Sequence, residues 1–198
     1  MNPLLENFDT PYGTIPFNKI ETSYFLPAIQ EAIKESKEAI DKIKENPELS
    51  TFENTLERLE KSGEKVELIA SIFFNLNAAE TNDEIQKLAR EISPLLSAYS
   101  NDILLDQELY TRIKAVNDKR DKLNLTVEQN TLLDKTYRGF TRNGANLPDE
   151  KKEKLRELDK ELAQLSLEFG EHLLKEVNTY QMVIEDESEL EGLPDHAK

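Results

Sequence analysis

Only two histidines, His172 and His196, and no cysteine are available in this 198-residue chain to ligate a borderline metal or act as an imidazole base. A catalytic zinc takes about three protein ligands and keeps one position open. Neither histidine lies in an H-E-x-x-H string, the spacing that places two imidazoles on one helix face with a general base between them. Glu168 and His172 stand four residues apart where a helix is expected, so they share a face, but no third ligand accompanies them. The pair reads as a helix-supporting contact near a C-terminal dipole rather than a metal site. His196 falls in the last few residues, where order is not expected. No G-x-S-x-G string presents a nucleophile, and neither glycine-rich phosphate pattern occurs. Among 40 acidic residues no glycosidase-type carboxylate pair can be singled out. The aromatics Phe73, Phe74, Tyr99, Tyr137, Phe140 and Phe169 could line a peptide groove, yet such residues more often belong to a core. The residues therefore assign no catalytic, metal-binding or cofactor-binding position to this chain.

Charge narrows the partners. Forty acids against 25 bases give a net charge of −15. A nucleic-acid reader gains affinity from clustered Lys and Arg, and an anionic membrane surface attracts the same residues. Neither nucleic acid nor membrane is expected. Basic peptides would be favoured partners on charge alone, but solvated helix faces are the simpler account of such acidity. The lack of cysteine suits a reducing compartment. The opening MNPLLENFDTPYG has neither a basic n-region nor an apolar h-region, and no apolar run reaches bilayer length. A soluble, cytoplasmic chain is the expectation.

The elements that would carry any site are helical. Residues 1–21 contain Pro3, Pro11, Gly13 and Pro16, too closely spaced for a helix. Their Phe8, Tyr12, Ile15, Phe17 and Ile20 predict a strap lying across the helices. A first helix is predicted over 24–44, with Ile29, Ile33, Ile40 and Ile43 as its stripe and Asn46-Pro47 ending it. A second is predicted over 51–79, opened by a Ser50–Glu53 capping box and carrying Phe52, Leu56, Leu59, Val66, Ile69, Phe73 and Leu76 on one face. Gly63 inside it costs about 1 kcal/mol relative to Ala unless a bend or close contact uses it. Thr81 and Glu84 predict the cap of a third helix, which Pro94 should kink. Asp106 caps a shorter fourth, and Thr126 with Gln129 caps a fifth. After the break Asn143–Pro148 comes a long charged sixth helix with Leu155, Leu158, Leu162, Leu165, Phe169 and Leu173 on one face. Alternation of Tyr180, Met182 and Ile184 with Gln181, Val183 and Glu185 predicts a short strand, and Asp186–Glu189 a further helix start or turn. The fold class is all-α: a bundle of about six long antiparallel helices behind an irregular strap.

Several strings, in order, resemble one family. Pro16-Phe17 with Ile20, then Tyr24 to Ile29 (YFLPAI), are followed by Thr51 to Gly63 (TFENTLERLEKSG) and Phe73 to Asn82 (FFNLNAAETN). Ile92 to Leu96 (ISPLL), Leu109 to Val116 (LYTRIKAV), Phe140 to Leu147 (FTRNGANL) and Gly192 to Pro194 (GLP) complete the set. Their order resembles the N-terminal region of the thimet oligopeptidase, oligopeptidase A and peptidyl-dipeptidase family of zinc peptidases. The FDTPYGTIPF opening looks most like the bacterial peptidyl-dipeptidases. His172 departs from the pattern, since relatives often carry Asn there.

The resemblance implies a role. Family members bind zinc through H-E-x-x-H and a downstream Glu in a later region, and nothing in this chain matches those ligands. Residues 1–198 are then one helical, non-catalytic region, with 179–198 beginning the connection to a catalytic region. In the family such a region helps form one wall of a channel that admits short unstructured peptides. The implied cofactor is zinc in the parent protein and none in this chain. The implied partners are the catalytic region of the same polypeptide and short peptide substrates. A rival reading is a stand-alone helical module gripping a partner helix or peptide, which the heptad-like seams of the second and sixth helices permit.

Overall fold

A computed structural model describes residues 2–194 and contains six α-helices. They are α1 (Phe25–Lys44), α2 (Arg58–Ala79), α3 (Asp83–Leu104), α4 (Gln107–Asn117), α5 (Val127–Arg142) and α6 (Asp149–Thr179). The described residues form an all-α helical bundle, as the sequence predicts, and divide into two units at residues 164 and 165. Each unit is described by itself.

In the first unit, α1 and α2 run antiparallel. The Phe25 and Phe73 rings lie 5.2 Å apart at one end, and Lys65 pairs with Glu35 nearer the other. Helix α3 runs alongside α1 in the same direction, since Leu26 and Leu88 share a pocket near one end while Ser36 and Tyr99 are hydrogen-bonded further along. The first half of α6 returns antiparallel to α3, with Lys152 reaching Leu105 and Arg156 reaching Asp102. One core joins Ile40 and Ile43 of α1 to Phe52 and Leu56, to Leu109, Tyr110, Ile113 and Val116 of α4, and to Leu133 and Phe140 of α5.

Two helix starts differ from expectation. A six-residue π-helical turn, Phe52–Glu57, precedes α2, and its cap is Thr51 with Asn54 rather than Ser50 with Glu53. Asn54 does more than a Glu could. Its Oδ1 accepts from the Thr51 N–H and the Thr55 hydroxyl while its Nδ2 donates to the Leu49 carbonyl, each at 2.9 Å. The one-residue shift buries Phe52, Thr55 and Leu56 and leaves Glu53 in solvent. At α3, Asn82 replaces Thr81 as the cap and accepts from the Ile85 N–H at 2.9 Å. The Thr81 hydroxyl instead donates to Asn77. Helix α3 continues through Pro94. Asp106 and the Thr126–Gln129 box cap α4 and α5 as expected.

The strap is held chiefly at its start. Leu4 is buried and Asn2 Nδ2 donates to the Tyr24 carbonyl at 2.8 Å. Phe8, Ile15 and Ile20 are half-buried, but Tyr12 and Phe17 face solvent and do not cross the helices as predicted.

In the second unit, the expected strand at 180–184 does not form, and no strand occurs among the described residues. Alternation fixes a strand only when one face is buried and a neighbouring strand takes the backbone groups. Here Tyr180, Met182 and Val183 are all exposed. A short 3-10 turn, Glu187–Leu190, follows, with Asp186 accepting from the Ser188 N–H as its cap.

Candidate functional site

Glu168 and His172 share a face of α6, as their spacing requires, and both are exposed. No group of three or more His, Asp or Glu side chains gathers anywhere among the described residues. That donor set does not fit a catalytic zinc, which needs about three ligands held together. His196 lies outside the described residues.

The aromatics divide. Phe73 and Phe140 are buried, Phe74 packs edge-on against Phe73, and Tyr137 stacks on the buried Tyr110. These are core groups. Tyr99 is half-buried and its hydroxyl is 2.6 Å from that of Ser36. Burial pushes the Tyr99 phenol up, against the lowering effect of the Ser36 hydrogen bond. Phe169 alone of the six is exposed.

Charges clasp the helices of the first unit. Asp102 of α3 accepts from Lys37 of α1 and from Arg156 of α6, both at 2.6 Å. Partial burial would raise this carboxyl, but the hydrogen bonds from Lys37 and Arg156 outweigh it and hold the pKa below the usual aspartate value. Lys44 is held well above its ordinary value by hydrogen bonds to Asp41 and Asp106, each at 3.0 Å. Lys152 is buried and donates to the Leu105 carbonyl at 2.9 Å. Sequence spacing gives no hint of the Asp102 junction, because its partners lie 65 and 54 residues away. These contacts fasten helix to helix.

What stays unsatisfied on the surface is apolar. On α6, Leu158 and Leu162 are exposed in the first unit, and Leu165, Phe169, Leu173 and Val177 in the second. Leu162 is 63% exposed and Phe169 71%. Single exposed leucines are ordinary, whereas large contiguous apolar patches mark contact surfaces. Among the described residues no helix is long and apolar enough to cross a membrane.

No protein-family model matches the chain. Over 193 residues, 98% of its length, the chain is 35% identical to the dipeptidyl carboxypeptidase of Escherichia coli. It is 27% identical over 196 residues to oligopeptidase A of the same organism, and 30% over 182 residues to a thimet-like oligopeptidase of Dictyostelium discoideum. By sequence the chain matches the N-terminal end of peptidases that are thimet oligopeptidase-family members. It spans about 28% of the length of the first two of these curated relatives and 26% of the third, at the N-terminal end.

The strings that carry the family resemblance have structural work in this fold. From TFENTLERLEKSG, Thr51 and Asn54 build the cap while Phe52 and Leu56 enter the core. From LYTRIKAV, Leu109, Tyr110, Ile113 and Val116 are core, and Arg112 donates to the carbonyls of Asn46 (2.8 Å) and Glu48 (3.3 Å). From FTRNGANL, the Ala145 N–H bonds back to the Phe140 carbonyl at 3.0 Å across Gly144, whose φ is +97°. That is the Schellman closure of a helix, which favours glycine at the left-handed position. The family signature in this chain therefore specifies a bundle.

Proposed function

We propose that this chain is the helical, non-catalytic N-terminal region of a zinc-dependent oligopeptidase of the peptidyl-dipeptidase type. In this reading it supplies one wall of the channel that receives short peptides, and the exposed apolar row of α6 docks the catalytic region of the same polypeptide. The observation that carries it is the match of nearly the whole chain to little more than a quarter of each peptidase. Two features support it. Among the described residues no group of three or more His, Asp or Glu side chains could hold a metal ion, which is consistent with a hydrolytic step carried by another region. On α6, Leu158 and Leu162 in the first unit, and Leu165, Phe169, Leu173 and Val177 in the second, also leave apolar area in water, at about 25 cal/mol per Å2, which a docked region would recover.

The test compares this chain with the full-length product of its gene on a short unstructured peptide, with and without a chelator. The expected result is dipeptide release by the longer product, lost on chelation, and none by residues 1–198. Chelator-sensitive cleavage by the purified chain would overturn the proposal.

A further inference from the structure

Residues 180–185 of the second unit lie between the end of α6 at Thr179 and the 3-10 turn that begins at Glu187. Along them Tyr180, Met182 and Ile184 alternate with Gln181, Val183 and Glu185. Period two places the first three on one face of an extended chain. Tyr, Ile and Val also favour a pleated backbone. Tyr180 is 75% exposed, Met182 70% and Val183 76%, so neither face is covered. Among the described residues, no backbone N–H or C=O of residues 181–185 is hydrogen-bonded. The run is also bounded as a strand is, at about the usual length of 5–6 residues. Asp186 caps the 3-10 turn, the Leu193 N–H donates to the Leu190 carbonyl at 3.2 Å, and Gly192 has φ of +92°.

Water can take the backbone groups of such a segment but gains nothing from its apolar side chains. An open row of unpaired N–H and C=O groups is a template for another strand. The source of that strand follows from the relatives. The chain covers 28% of the dipeptidyl carboxypeptidase and of the oligopeptidase A of Escherichia coli, at the N-terminal end. In the proposed function, on which this inference rests, the remaining polypeptide is tethered close behind the segment. A short tether holds a neighbouring strand at an effective concentration on the order of 1 mM, which favours it over a separate chain. We propose that residues 180–185 pair, backbone to backbone, with a strand supplied by the rest of the same polypeptide, which also covers the Tyr180, Met182 and Ile184 face. This is main-chain recognition rather than the side-chain docking of α6. Ladder hydrogen bonds supply the affinity, and the alternating side chains fix the register.

Amide hydrogen exchange resolved by residue, in residues 1–198 and in the full-length product at pH 7, tests the pairing. In the short chain the amides of residues 181–185 should exchange as fast as those of an unstructured peptide. In the longer product, pairing on one edge should slow alternate amides by about 100-fold or more, either Gln181, Val183 and Glu185 or Met182 and Ile184. Pairing on both edges should slow all five. Proline at a slowed position, Val183→Pro or Met182→Pro, should abolish the protection of its neighbours and leave the melting temperature of residues 1–198 unchanged. Free exchange of all five amides in the longer product overturns the pairing, as does protection that survives the proline. Protection in the short chain that grows with its concentration assigns the edge to a second copy, and protection on adding a short peptide assigns it to a substrate. Either result overturns the proposal. The measurement needs neither zinc nor cleavage. A longer product that protects these amides without cleaving peptides retains the pairing and loses the proposed function, and one that cleaves peptides with the amides free does the reverse.

Discussion

Two glycines show how one residue type meets opposite demands. Gly63 sits in α2 with helical backbone, and a Cβ built there would meet only the Tyr99 hydroxyl at an ordinary 3.7 Å. Neither a bend nor a close approach requires it. Gly63→Ala should therefore stabilise the chain by about 0.5–1 kcal/mol, read as a higher midpoint in urea. Gly144 is the reverse. Its φ is +97°, and a Cβ would lie 2.8 Å from Leu147 Cδ1 and 3.1 Å from Leu155 Cδ2. Gly144→Ala should cost about 2 kcal/mol in the same titration, from the left-handed backbone and the clash together. Asp102 makes a different prediction, in pH. Its folded pKa is depressed, so its contribution is complete above the unfolded aspartate value and is lost as pH falls through the lower folded value. Its side chain is 40% exposed, so solvent screening keeps the effect small. Asp102→Asn should destabilise by about 1 kcal/mol at pH 7, and the gap from the parent chain should narrow as pH falls below the ordinary aspartate range and through the lower folded value.

At the scale of elements, caps decide where helices begin. The π turn ahead of α2 rests on Asn54, whose amide serves three partners at 2.9 Å while nearly buried. Asn54→Ala would leave the Thr51 N–H, the Leu49 carbonyl and the Thr55 hydroxyl without that partner. At about 1 kcal/mol for each net hydrogen bond, the expected loss is about 3 kcal/mol by chemical denaturation. Glu53→Ala, one residue away and in solvent, should change stability by less than about 0.5 kcal/mol. A result in which Glu53 mattered and Asn54 did not would restore the capping box expected from spacing. The Ser-x-x-Glu pattern and the Thr-x-x-Asn pair are offset by a single residue, and burial of Phe52 and Leu56 separates them.

For the whole molecule, the informative surface is the one that folding leaves apolar. Leu158 is 51% exposed, so Leu158→Glu should alter the stability of this chain by no more than about 0.5 kcal/mol. If α6 docks a catalytic region, the same change in the full-length product should lower stability or peptidase activity by far more. Paired melting curves of the two forms measure that difference. An equal, small effect in both would remove the α6 row from the interface. The acidity adds little to this picture, since most charges lie on solvated helix faces and the buried Lys152 donates to the Leu105 carbonyl.

Helical periodicity, Asp106, the Thr126–Gln129 box and the break before α6 were readable along the chain, because each depends on residues within one or two turns of each other. The family too was readable, since its strings encode local caps and core stripes. Tertiary structure alone decided the rest. The strand at 180–184 failed because alternation is necessary for pairing but does not provide a partner, and the cap of α2 moved one residue because the core claimed Phe52. The Asp102 junction is assembled from partners 65 and 54 residues away in sequence, and no local rule measures burial or partnership over such distances.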